Sequence, residues 1–173
     1  MELLVIRHAA ALDREEFAAT GQDDSLRPLT DRGRQRMLEA ARGLARLVKT
    51  VNVLATSPFT RSIETAAIVS GAYLGLKPEV LQALTPEAEY RSLIIWLREQ
   101  AQNDTVALIG HEPHLSGLVC HLLTGGEADF LEFKKGGACL LSLADPVRAG
   151  AATLRWSLPP AALRKIGQLP EEA

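Results

Sequence analysis

Leu3-Leu4-Val5-Ile6-Arg7-His8 decides the fold. Four consecutive apolar residues, two of them β-branched, read as a strand over Glu2–Ile6 that is buried on both faces, as strands of parallel sheets are. The run ends on a guanidinium and an imidazole. In α/β proteins the carboxyl ends of the strands are where ligand sites are built. Two later runs end in the same manner: Thr105-Val106-Ala107-Leu108-Ile109 leads into Gly110-His111, and a strand near Val51–Ala55 leads into Ser57-Pro58 and then Arg61. Two imidazoles and two guanidiniums thereby meet at one end of one sheet, a set suited to a dianionic phosphoryl group.

Around these strands the periodicity alternates between strand and helix, which predicts an α/β fold, a three-layer α/β/α sandwich with a mostly parallel, mixed central sheet. A polar loop carrying Asp13, Glu15, Glu16, Asp23 and Asp24 follows the first strand. Thr30 is the expected N-cap of a helix whose apolar positions include Leu38, Ala41, Leu44, Ala45 and Val48, with Asp31 in its first turn. A second helix is expected over Thr60–Leu74, an extended link over Leu76–Leu84, and a third helix over Glu87–Ala101. Pro113 marks the start of a helix running to Leu123, which Gly125-Gly126 ends. Leu131–Phe133, Ala138–Leu143 and Thr153–Leu158 read as short strands pairing antiparallel at one sheet edge. Pro159-Pro160 opens a terminal helix, and Glu171-Glu172 reads as a frayed tail.

At 173 residues the chain is expected to form one domain over 1–173. The net charge of −2 argues against a nucleic-acid surface. No apolar run approaches the roughly 20 residues needed to span a bilayer, and no secretory signal pattern stands at the start. Cys120 and Cys139 lie in apolar surroundings and read as core thiols, with a disulfide left open. A cytoplasmic location is expected. No glycine-rich nucleotide loop occurs, and no cofactor is expected. His111-Glu112-Pro113-His114 is rejected as a metal motif, because the zincin pattern places histidines four apart on a continuous helix. His114 and His121, seven apart on one helix face, read as structural or surface residues. Lys134-Lys135 reads as a turn or an edge-strand guard against aggregation.

Phosphoryl transfer asks a protein chiefly for positioning and positive charge. A neutral imidazole is a competent nucleophile. Arg7 and Arg61 disfavour protonation of His8 and so keep it in that form. His111, facing a bound phosphate, is expected to be cationic and to stabilise charge on the transferring group.

Together the motifs resemble the histidine phosphatase superfamily, also called phosphoglycerate-mutase-like: Val5-Ile6-Arg7-His8, Ser57-Pro58-Phe59-Thr60-Arg61 with Glu64-Thr65-Ala66, and Ile109-Gly110-His111. Ser25-Leu26-Arg27-Pro28-Leu29-Thr30 with Arg32-Gly33, and Leu84-Thr85-Pro86, resemble its SixA branch of phosphohistidine phosphatases. The resemblance implies His8 as phosphoryl acceptor, with Arg7, Arg61 and His111 completing a phosphate pocket and Arg27 facing it. It implies a metal-independent hydrolase acting on a phosphohistidine-bearing protein, such as a phosphotransfer domain. The alternatives are a small phosphorylated substrate, or a module that binds phosphohistidine without turnover.

Two departures accompany the resemblance. Ala9 replaces the glycine of Arg-His-Gly, which would be strained if that position needed a positive φ. Glu87 and Glu89 occupy the stretch where many relatives carry an acid for the leaving oxygen, without a recognisable acid motif. An imidazole leaving a phosphoramidate needs less proton assistance than an alkoxide, so this favours phosphohistidine. Little chain is spare between Arg61 and His111 for a lid, which predicts an open pocket.

Overall fold

The computed structural model describes residues 1–102 and 104–170; the expected frayed tail lies outside them. In chain order the elements are β1 (Glu2–Arg7), α1 (Arg14–Ala18), α2 (Asp31–Leu47), β2 (Val53–Thr56), α3 (Thr60–Ala72), β3 (Glu79–Val80), α4 (Tyr90–Arg98), β4 (Thr105–Gly110), α5 (His114–Thr124), β5 (Ala138–Ser142), β6 (Thr153–Leu158) and α6 (Pro160–Gly167). One six-stranded sheet has the order β3-β2-β4-β1-β5-β6. The first four in that order pair in parallel, β5 pairs antiparallel with β1, and β6 pairs antiparallel with β5. The mixed, mostly parallel sheet is the expected one.

Both faces of the sheet are covered, as the unbroken apolar run of β1 requires. Leu4 and Ile6 point toward α2, α3 and α6, against Met37, Ala40, Leu44, Ala66, Val69 and Leu163. Leu3 and Val5 point the other way, against Leu93 and Leu97 of α4 and Leu115, Leu118 and Leu122 of α5. Alternate residues of one strand thus build two cores, giving the three-layer sandwich. Cys120 and Cys139 are free, buried thiols.

The structure departs from expectation in several places. The polar loop after β1 folds into α1, capped by the Asp13 carboxylate accepting from the N–H groups of Glu15 and Glu16, and into a 3-10 turn over Asp24–Leu26. The extended link contains β3 and a 3-10 turn over Gln82–Leu84. The third helix starts only at Tyr90 and ends at Arg98, because Thr85 and Ala88 close a turn ahead of it. Leu131–Phe133 is not a strand. The N–H of Phe133 donates to the Glu112 carboxylate at 3.2 Å, and its carbonyl accepts from the Arg7 guanidinium, so side chains take the bonds a ladder would have used. No helix among the described residues is long and apolar enough to cross a membrane.

Candidate active site

Three adjacent parallel strands, β2, β4 and β1, deliver the site at their carboxyl ends. Ser57 N–H pairs with the Ile109 carbonyl and His8 N–H with the Gly110 carbonyl, each at 3.0 Å, so the ladder continues one residue past each strand and fixes where the side chains emerge. The result is a cleft of about 730 Å³ lined by Arg7, His8, Arg27, Arg61 and His111 together. All five residues expected at the site meet there. Segment 12–27 and Pro86–Glu87 also contribute walls, and His8 lies at the floor, 5% exposed.

His8 is oriented by its own chain. Its Nδ1–H donates to the Ala9 carbonyl at 2.7 Å, which leaves the Nε2 lone pair free. Burial, together with the charges of Arg61, Arg7 and Lys135, pushes its pKa down to about 3, against a weaker upward pull from the Ala9 carbonyl. The ring is therefore neutral at neutral pH. The arginines contribute as the sequence predicted, but desolvation is the larger cause.

Ala9 has no positive φ, so no glycine is required there. Its N–H donates to Thr65 Oγ1 at 3.0 Å, and that hydroxyl donates to the Arg61 carbonyl at 2.6 Å, linking the His8 turn to α3. Gly33 of α2 packs against the same turn, where a Cβ would fall on the Ala10 carbonyl oxygen. The α2 N-terminus is held there by Thr30, whose hydroxyl accepts from Gly33 N–H at 2.9 Å.

His111 faces His8 with ring centroids 5.0 Å apart and packs on Phe59 at 4.9 Å. The Ser57 hydroxyl accepts from Phe59 N–H, leaving its proton free to donate to His111 Nε2 at 2.8 Å, with Ser62 Oγ a second neighbour at 3.3 Å. We assign the Ser57 proton to this bond, which puts the ring hydrogen on Nδ1. Burial, then the charges of His8 and Arg61, push the His111 pKa down to about 2. Burial therefore favours the neutral imidazole, while the expected cationic form belongs to a site facing a bound phosphate. Desolvation outweighs any attraction to the nearest carboxylate.

Three buried nitrogens of the cleft-lining residues, Arg7 Nε, Arg61 Nε and His111 Nδ1, have no hydrogen-bond partner among the described residues. Such donors are costly to bury unpaired and are suited to an incoming anion. Arg61 also lies over the Phe59 ring at 4.8 Å.

Several lining residues escaped the sequence reading. Asp24, known there only as one acid of a polar loop, pairs with Arg27 Nε at 2.8 Å and Arg61 Nη2 at 3.1 Å. Its spacing of three from Arg27 was the available signal. Glu112, set aside with the rejected metal motif, lines the cleft, and burial raises its pKa against the hydrogen bonds of Ser116 and Phe133 and the charge of Arg7. Lys135 lies in a turn, one of the two expected readings, and lines the cleft. Glu87 is on the cleft wall. Glu64 turns inward to clamp Leu29 N–H at 2.7 Å and Arg34 at 2.8 Å, a structural role. His114 is buried against Tyr90 at 5.0 Å between ring centroids. Among the described residues, no group of three or more His, Cys, Asp or Glu is arranged to hold a metal ion.

Comparison with known proteins bears on this geometry. Residues 3–90 match the family model of the histidine phosphatase superfamily (branch 1). An uncharacterized protein of Picosynechococcus sp. (strain ATCC 27264 / PCC 7002 / PR-6) is 34% identical over 157 residues, covering 90% of this chain and 89% of its own. The solved structure of the protein histidine phosphatase SixA complexed with tungstate superposes with a TM-score of 0.79 at 26% identity, over 94% of this chain and 99% of that one. A mycobacterial glucosyl-3-phosphoglycerate phosphatase with inorganic phosphate shares the fold at a TM-score of 0.64 and 15% identity, over 92% and 98% of the two chains. The chain belongs to the histidine phosphatase superfamily and is a SixA-type hydrolase that works through a histidine nucleophile on a phosphorylated substrate.

Proposed function

We propose that the protein is a phosphohistidine phosphatase, acting as a single domain, whose nucleophile is His8. The observation that carries this reading is the fixed tautomer of His8, with Nδ1–H on the Ala9 carbonyl and Nε2 free, beside unpartnered donors from Arg7, Arg61 and His111. Tungstate, held in the SixA structure, is a tetrahedral oxyanion of the kind these donors suit. Arg27 completes the positive wall.

In the first step a bond forms between His8 Nε2 and phosphorus while the bond from phosphorus to the substrate imidazole breaks. The leaving ring keeps that electron pair and takes up one proton. Because His8 retains Nδ1–H, its phosphorylated ring carries a positive charge that the Ala9 carbonyl stabilises. That charge makes Nε2 a good leaving group for the second step. Water then bonds to phosphorus, the Nε2–phosphorus pair returns to His8, and the water proton released balances the one taken up earlier.

The test is single-turnover incubation with a labelled phosphohistidine protein. Acid-labile, alkali-stable label is expected transiently on the wild type and absent from His8→Ala. Turnover that persists in the variant would show His8 to be misassigned.

A second reading, hydrolysis of a small phosphomonoester, is favoured by one observation: the carboxyls of Glu87 and Glu112 line the cleft, and Glu112 is biased toward its protonated form by burial. An alkoxide leaving group needs such a donor. Ester hydrolysis exceeding phosphohistidine turnover, and lost in Glu112→Gln or Glu87→Gln, would favour that reading.

A further inference from the structure

Two guanidiniums of the cleft, those of Arg27 and Arg61, are already engaged with an anion of the protein's own. Asp24 offers one carboxylate oxygen to each, Oδ1 to Arg27 Nε at 2.8 Å and Oδ2 to Arg61 Nη2 at 3.1 Å. Two oxygens bridging two guanidiniums is the arrangement that two phosphoryl oxygens would adopt. The arginines are buried, 8% and 4% exposed, so both would be costly to leave uncompensated. The Asp24 side chain is about one-third exposed and sits on a single 3-10 turn, so it has room to move outward. Arg14, four-fifths exposed at 3.9 Å, stands on the outward side as an alternative partner.

We propose that Asp24 is a displaceable counter-anion of the phosphoryl site. It holds Arg27 and Arg61 in place, yields them to the substrate's phosphoryl group and reclaims them as phosphate departs. Arg61 stays anchored throughout by a bond that does not involve the carboxylate, from Nη1 to the Asp24 main-chain carbonyl at 2.8 Å. Arg27 is likewise anchored by Nη1 on the Leu12 carbonyl at 2.7 Å. The exchange therefore changes the partner of each guanidinium without moving it. Its consequence is a site tuned for turnover rather than retention, because every bound phosphate competes with a carboxylate tethered beside it. The inference rests on the phosphoryl site proposed above.

The test uses inorganic phosphate as the probe, titrated calorimetrically into the wild type, Asp24→Asn and Asp24→Ala. Removing the carboxylate leaves two cations without their competitor, so both variants are expected to bind phosphate about tenfold more tightly and to be more strongly product-inhibited. Equal or weaker binding overturns the inference, since Asp24 would then be only a brace. A measurement on the wild type guards against misfolded variants. The Arg27 Nε–H resonance in a nitrogen-15 spectrum is expected to shift saturably with phosphate, and an unmoved resonance under saturating phosphate overturns the exchange. Failure of every form to bind phosphate would instead overturn the phosphatase reading itself.

Discussion

At the scale of single residues, the site runs on hydrogen bonds that choose tautomers. Ser57, as assigned above, donates to His111 Nε2 and so leaves the ring hydrogen on Nδ1. Ser57→Ala leaves only the more distant Ser62 hydroxyl, so a population of His111 would present a lone pair to the phosphoryl oxygens instead of a proton. We expect kcat to fall about 10- to 100-fold, toward the loss seen when an oxyanion donor is deleted, with KM changed much less. Steady-state kinetics of the variant checks this; an unchanged kcat would mean that Ser57 does not set the tautomer. At this scale much was legible in sequence. His8, Arg7, Arg61 and His111 each follow a run of apolar residues or a Ser-Pro turn, and strand geometry brings such positions to one edge. Asp24, Glu112 and Lys135 were not legible. Their role depends on which partner a loop folds against, and a polar loop has no periodicity that reports it.

At the scale of elements, the helices on one face depend on close approach. Gly43 of α2 meets α6 so tightly that a Cβ would fall on the Leu163 carbonyl oxygen, backbone that cannot rotate away. Gly43→Ala should force the helices apart and destabilise the protein by about 1–3 kcal/mol. Urea denaturation would show this as a lowered midpoint, with phosphate affinity nearly unchanged if the displacement stays within α2 and α6. Buried strands and long helices announce themselves through sequence periodicity, which is why β1, β4, α2 and α5 were foreseen. Leu131–Phe133 was misread because alternation says how residues face, and says nothing of what satisfies their backbone. Helix α1 was missed for a different reason: five residues hold barely one turn, and its stability comes from the Asp13 cap.

At the scale of the whole molecule, the site makes stability depend on pH. His8 and His111 stay neutral in the native protein down to about 3 and about 2, whereas a histidine in the unfolded chain takes a proton near 6.5. Both folded values are depressed, so below 6.5 the unfolded chain binds protons that the native state refuses. Stability is full above pH 6.5 and is lost as pH falls toward 3, each histidine contributing up to about 1.4 kcal/mol per pH unit. Urea midpoints measured from pH 7 to pH 5 should decline, and a His8→Asn/His111→Asn double variant should decline less steeply. Parallel declines would show that neither imidazole resists protonation.

The sheet order also governs how the chain comes together over time. β1 is the first strand in sequence, yet its neighbours are β4 and β5, separated from it by about a hundred residues or more. During synthesis, Leu3–Ile6 must wait with neither edge covered until β4 has been made, and with one edge open until the chain has passed residue 142. The strand leading to the proposed nucleophile is thus the earliest made and among the last completed. A ribosome stalled before residue 105 would display that apolar run to chaperones, and the catalytic centre would form only as the final third of the polypeptide emerges.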